Sequence, residues 1–464
     1  MKHVAIVGAS LAGLSAARAL RAQGFDGRLT VIGDEAQRPY DRPPLSKEFL
    51  CGNVSEADLA LESDDDDLQA DWRLGVAAAR LDSRSGAIEL VDGTRIDADG
   101  VVIATGSRAR RWPGCAGMAG VHVIRTIDDA IALRAELVPG ARLVVIGAGF
   151  IGAEVASTAR KLGLDVTVVE AAPAPLQMQL GSWLGGVVAG AHTANGTTLI
   201  CGVGVAGLVG EERALRAPGG VRRVAGVDLT DGRHLPADVV VVGIGGVPNI
   251  DWLQGSGLEL GNGVLCGTHG QTALPNVVAV GDCAAWLDAA TDTHHRVEHW
   301  TGALERPAMA VAALLAGGLR QESTVKPPYF WSDQYGSRIQ FAGLACPDDE
   351  ITIEEGSCEE RCLLATYRRD GRLVAVLGID QPRLFTRWRR QLRLVRLRAP
   401  VRRDPLARRR WRPVDHGPVP ARPVLDHGCG QLRHHHRLHA RPRHDHVPHA
   451  DLLLEHPGHL HPGA

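Results

Sequence analysis

The chain has 464 residues, 55 of them glycine, and a formal net charge of −2, which is length enough for three ordinary domains. That charge is uneven: residues 1–392 carry 37 basic against 47 acidic side chains, and residues 393–464 carry 14 against 6. The acidic body excludes a nucleic-acid face, and no apolar run approaches the ~18 residues that a membrane helix requires. The nine cysteines form no C-x-x-C pair and no metal-ligand spacing. Free thiols in a reducing cytoplasm, and no metal, are therefore expected. A strand begins almost at once, so no leader peptide is expected.

In chain order, His3–Val7 is a short apolar run fit for a buried parallel strand. Gly8, Ser10 and Gly13 follow as G-x-S-x-x-G before a helix over 14–20. The first glycine permits a tight turn, and the third lets helix and strand pack closely. The helix N-terminus offers free N–H groups and a positive dipole end to a pyrophosphate. Arg28–Ile32 is the second strand, followed by Gly33-Asp34-Glu35, where an acid is placed to hold an adenosine ribose. The loop 38–47 is stiffened by Pro43 and Pro44 and presents Arg42 and Lys47. The four acids at 64–67 suggest a solvated loop. Residues 99–105 form another buried strand, ending in Ala104-Thr105-Gly106-Ser107, where the chain leaves the first domain. A linker at 110–114 and a short helix over 127–137 follow.

A second copy of the motif comes next. Gly147, Gly149 and Gly152 complete G-x-G-x-x-G after an apolar strand and before a helix, the context that the motif requires. The next strand, 166–169, ends in Glu170, 18 residues after Gly152. A carboxylate there accepts both ribose hydroxyls and repels a 2′-phosphate, so NAD is favoured over NADP. Two dinucleotide folds call for two dinucleotides, FAD and NADH, because a flavin needs a source of electrons. Turns are expected at 218–220 and 231–232, and a strand at 238–243. From Asn276 the first pattern returns: a strand over 277–280 runs into Gly281-Asp282, and a helix over 303–316 follows Glu298-His299-Trp300. Alternating stretches at 362–367 and 373–379 suggest antiparallel β. The expected class is α/β with two Rossmann-like domains: an FAD domain (1–110 and 243–322) split by an inserted NAD domain (111–242). A C-terminal α+β domain with an antiparallel sheet (323–392) comes after them.

The motifs GASLAGL, YDRPPLSK, ATGSRAR, VVIGAGFIGAEVA, GIGGVPN, AVGDCA, VEHWTGALE and PYFWSDQYG occur in this order over residues 1–392. The set resembles the NADH-dependent ferredoxin (or rubredoxin) reductases of bacterial oxygenase systems, flavoproteins with the glutathione-reductase fold. The resemblance implies FAD contacts at Gly8, Ala12, Gly13, Asp34, Arg42, Lys47, Ala78, Thr105, Gly106, Arg125, Asp282 and Trp300. It implies NAD contacts at Gly147, Gly149, Ile151, Gly152 and Glu170. Lys47 would lie close to the flavin ring with Glu154 as its partner, and these two carry the catalytic assignment. Asp282 would hold the ribityl or pyrophosphate region, and Trp300 would lie against the isoalloxazine on the face away from NADH.

Disulfide reductases of this fold carry C-x4-C after the first glycine loop. Here 43–49 has no cysteine and Cys51 stands alone, so electrons are expected to leave the flavin directly, one at a time. The expected acceptor is a [2Fe–2S] ferredoxin serving a cytochrome P450 or a ring-hydroxylating dioxygenase. Rubredoxin reductase, NADH oxidase and a non-turnover redox-sensing flavoprotein are the alternatives, and a monomer or homodimer is expected. Arg383, Arg387, Arg389 and Arg390, with Trp388 among them, form the candidate patch for an acidic partner. From Arg393 the text departs from the family. Its 72 residues hold 12 of the 20 His, 14 Arg and 10 Pro, with no Lys. It suggests GC-rich coding sequence in a shifted frame, with a functional tail or a His metal site as the alternatives, and a composition that cannot bury a core and is expected to be disordered.

Overall fold

The computed structural model describes residues 1–63, 65–212, 222–289, 292–317 and 327–392. All of them lie in one compact unit, Met1–Ala399. The turn expected at 218–220 and the tail from 393 fall outside the described residues. Six α-helices occur among those described: α1 (Leu11–Ala22), α2 (Ile127–Arg134), α3 (Phe150–Lys161), α4 (Gln177–Ala194), α5 (Trp300–Leu315) and α6 (Pro382–Arg389).

The first sheet runs Val277–Ala279, Gly100–Ile103, His3–Val7, Arg28–Ile32, Ala70–Arg73, and every neighbouring pair is parallel. A parallel sheet needs both faces covered, which is why its strands other than the edge strand Ala70–Arg73 are mostly apolar. Residues 4–7 and 101–103 are all buried against α1 and α5, with Leu14, Leu20, Val311 and Leu314 in the same core. The second sheet repeats the plan with Thr198–Cys201, Asp165–Glu170, Arg142–Ile146, Val239–Val242 and Val121–His122, again parallel. The chain leaves the first fold through Ser107–Ala109 and returns through Gly246–Pro248, and these two short strands pair antiparallel.

The third sheet is antiparallel, in the order Tyr329–Gln334, Ser337–Gly343, Arg372–Ile379, Cys362–Arg369, Glu350–Ser357. Its first strand alternates half-buried and buried residues, the period of a sheet covered on one face. The mixed architecture of two parallel sheets and a separate antiparallel one is the fold class expected from the sequence.

Some boundaries differ from the expected ones. α1 begins at Leu11, directly after the glycine loop, and α5 begins at Trp300 rather than 303. The acid run at 64–67 is not simply solvated. Asp66 ion-pairs with Arg18 at 2.5 Å with only 13% of its side chain exposed. Hydrogen bonding to that guanidinium pulls its pKa down to about 2.

Candidate active site

Both glycine loops close where strand and helix approach too tightly for a side chain. A Cβ on Gly13 would sit 1.8 Å from the Gly8 carbonyl oxygen, and one on Gly152 would sit 2.1 Å from that of Gly147. The middle positions are different. No protein atom lies within 4 Å of a Cβ built on Gly149, so that space is left for a ligand. Ser10 takes the middle position of the first loop, where its Oγ accepts a hydrogen bond from Arg42 Nε at 3.2 Å.

Five of the six described α-helices start without a side-chain cap. α1, α3 and α5 begin at Ser10, Gly149 and His299 with no side-chain cap, so their first N–H groups find no side-chain acceptor. α2 carries a full capping box between Thr126 and Asp129. The N-termini of α1, α3 and α5 border one cavity of about 670 Å³, which Ser10–Ala12, Gly149–Ile151, His299 and Trp300 all line. Three positive dipole ends around an open space suit the phosphates and polar ring edges of dinucleotides. The residues present therefore fit FAD and the nicotinamide end of NADH.

Charge is placed on both sides of the cavity. Arg42 donates to the Arg125 carbonyl at 2.7 Å, and Arg125 Nη2 donates to Asp282 Oδ2 at 2.8 Å. Asp282 follows the strand Val277–Ala279, at the carboxyl end of the first sheet, where ligands bind in folds of this type. In the same lining Lys47 Nζ lies 3.0 Å from Glu154 Oε2. Glu154 is 3% exposed and also accepts from Ser46 Oγ at 2.5 Å and Ser332 Oγ at 2.8 Å. Three donors from two segments thus compensate one buried carboxylate. Asp41 Oδ1 accepts from Trp300 Nε1 at 2.8 Å. Burial pushes the Asp41 carboxyl up, opposed by the indole N–H and the Lys47 charge. Burial pushes His299 down to about 4, and its Nδ1 has no partner.

An aromatic ladder leads outward. Trp300 and Trp331 have ring centroids 5.9 Å apart, as do Trp331 and Tyr329, and the Arg389 guanidinium lies 4.0 Å over the Tyr329 ring.

Ala12, Arg42, Lys47, Gly106, Arg125, Gly149, Ile151, Glu154, Asp282 and Trp300 line the cavity. Gly8, Gly13, Thr105, Gly147 and Gly152 stand behind it as turn and packing positions, and Thr105 Oγ1 donates to the Asn249 carbonyl at 2.6 Å. Asp34, Ala78 and Glu170 lie away from it. Glu170 accepts from the backbone N–H groups of Ala148 and Ala172, each at 2.8 Å, so it sits against the second glycine loop. Asp34 is exposed and accepts only from the Glu35 N–H, at 3.1 Å. Its neighbour Glu35 takes the hydrogen bonds of Arg42 and Tyr40. Ala78 follows Gly75 and Val76, which donate to the Glu35 and Gly33 carbonyls, at the same edge of the first sheet.

Sequence reasoning missed Asp41, His299 and Ser332. Only Asp41 carried a hint, its place beside Arg42. No cysteine lines the cavity. Among the described residues no cluster of His, Cys, Asp or Glu forms a metal site, and no helix is long and apolar enough to cross a membrane.

Residues 2–306 match the family described as pyridine nucleotide-disulphide oxidoreductase, and residues 329–409 match that described as reductase C-terminal. The second match runs past the break expected at 392. Rhodocoxin reductase of Rhodococcus erythropolis is 38% identical over 82% of this chain and 87% of its own length. The ferredoxin reductase component of a chlorobenzene dioxygenase from Cupriavidus sp. is 38% identical over 86% of this chain and 93% of its own. The covalent putidaredoxin reductase–putidaredoxin complex matches with a TM-score of 0.78 and 32% identity, covering 84% of this chain and 93% of that one. The resemblance carried by the motifs is borne out.

Proposed function

The chain belongs to the pyridine nucleotide-disulphide oxidoreductase family, and on that premise we propose that it is an NADH-dependent ferredoxin reductase. The observation that carries the reading is the single cavity shared by both nucleotide folds, with no cysteine in its lining. Such a site favours direct transfer to an outside protein over a disulfide relay. Bound FAD and NADH supply the redox chemistry itself, a hydride in and single electrons out.

The chain supplies position and charge. The N-terminus of α1, with Arg42 and Arg125, would hold the FAD pyrophosphate, and Asp282 would hold the ribityl or pyrophosphate region. The second glycine loop and Glu170 would hold NADH by its pyrophosphate and ribose. A hydride needs no general base, so orientation carries most of the rate. Lys47 offers its ammonium to charge that develops at the ring, and Glu154 balances it otherwise. The rings of Trp300, Trp331 and Tyr329 give a packed route from the cavity towards α6, where Arg383, Arg387 and Arg390 are exposed. That face suits an acidic [2Fe–2S] ferredoxin. A cytoplasmic location accords with eight free cysteines among the described residues and with the supply of NADH.

The deciding experiment measures FAD content, then follows NADH-driven reduction of a [2Fe–2S] ferredoxin, a rubredoxin and O2 side by side. Ferredoxin should be reduced fastest. Faster reduction of rubredoxin or O2 would move the assignment to those acceptors, and flavin that NADH reduces only slowly would indicate a redox sensor.

A further inference from the structure

Trp300 opens α5 and lines the cavity, and its ring is fixed by two contacts from distant segments. It meets Trp331 edge-to-face, with planes at 75°. Its Nε1–H donates to Asp41 Oδ1 at 2.8 Å, across 259 residues of chain. An edge-to-face pair leaves the tilt of a ring soft, whereas a hydrogen bond to a charged oxygen fixes its direction. Asp41 is itself anchored. Its backbone N–H donates to the Leu59 carbonyl at 2.8 Å, and Pro43 and Pro44 stiffen the chain just beyond it. Nor is it required as the counter-ion of Lys47, which already has Glu154 at 3.0 Å. A half-buried carboxylate is costly unless its hydrogen bonds are used, and the side-chain donor that Asp41 meets is the Trp300 indole.

We propose that Asp41 is a positioning residue of the flavin site, acting through Trp300 by clamping the indole plane that borders the cavity. The inference rests on the proposed occupation of this cavity by FAD. The clamp also holds Trp300 against Trp331, so it sets the first contact of the aromatic ladder.

The test is a double-mutant cycle with Asp41→Ala, Trp300→Phe and the double variant, together with Asp41→Asn. FAD is titrated back to each apoprotein, and the flavin absorption band and Tm are recorded. Asp41→Ala and Trp300→Phe should each weaken FAD binding about tenfold, the worth of one charge-assisted hydrogen bond, and should shift the flavin band alike. The double variant should be no worse than the weaker single one. Asp41→Asn still accepts the indole proton and should stay within about threefold of wild type. Additive losses, an Asn variant as poor as the Ala variant, or a lower Tm with unchanged binding and band would each overturn the clamp. Wild-type protein that binds no FAD refutes the cavity reading and the clamp with it. Wild-type protein that binds FAD beside unchanged variants refutes the clamp alone.

Discussion

Acidification should destabilise this protein through His192 and His299, two histidines that the fold desolvates. His192 is fully buried, its Nδ1 shares a hydrogen bond with the Tyr335 hydroxyl at 2.8 Å, and its Nε2 has no partner. Burial pushes its pKa from 6.5 to about 4, and His299 moves to about 4 for the same reason. The folded state holds both rings neutral, while the unfolded chain binds protons from pH 6.5 downward. Stability is therefore full above about 6.5 and falls as the pH drops towards 4. At pH 5 each histidine costs ~2 kcal/mol, or ~4 kcal/mol for the two, a large part of the ~5–15 kcal/mol that holds a typical domain folded. Asp66 and Asp238, both at about 2, lose their contribution only below the usual carboxylate range, so they do not blur this window. The assay is denaturant unfolding at pH 7.5, 6 and 5 for wild type and His192→Gln. The variant should lose stability with pH less steeply, by roughly one proton per molecule. Equal slopes for the two proteins would refute the reasoning.

Glu170 should give at least a tenfold preference for NADH over NADPH in kcat/KM, a difference of ~1.4 kcal/mol, and Glu170→Gln should narrow it. Equal values in the wild type would remove Glu170 from the ribose site. Asp282→Ala deletes the acceptor of Arg125 at 2.8 Å and should purify with little FAD. A full complement of flavin would show that the contact is dispensable. Lys47→Met leaves the Glu154 carboxylate, 4% exposed, without its cation. It should lose ~3–5 kcal/mol of stability and be reduced more slowly by NADH. An unchanged Tm and reduction rate would make Lys47 a bystander. Raising salt should slow reduction of ferredoxin but not of a small neutral dye, and Arg387→Glu should reproduce the effect at low salt. A salt-independent ferredoxin rate would exclude α6 as the docking face.

What the sequence made legible was local. Each glycine motif is a strand, a turn and a helix within about 20 residues, and the reason for each glycine lies inside that segment, as with the contact of Gly13 and Gly8 at 1.8 Å. The antiparallel third sheet was legible for the same reason, since the turn at Asp370-Gly371 joins neighbouring strands. The missed residues act over long separations. Ser332 reaches Glu154 across 178 residues, and Asp41 reaches Trp300 across 259. A serine or an aspartate in a loop has many bland explanations, and only the fold says which oxygen it will meet. Asp34 and Glu35 show the finer form of the problem. Both follow the same strand and both carry a carboxylate, yet Glu35 alone meets Arg42 and Tyr40, because only the closed loop decides which of two adjacent acids turns towards the guanidinium. Lys47 and Glu154 came through the family resemblance, and the structure adds why the pair tolerates burial. Two serine hydroxyls, on segments that meet only in the fold, take up hydrogen-bonding capacity that the carboxylate would otherwise leave unused, while its charge is balanced by the Lys47 ammonium alone, so burial of the pair depends on both contributions.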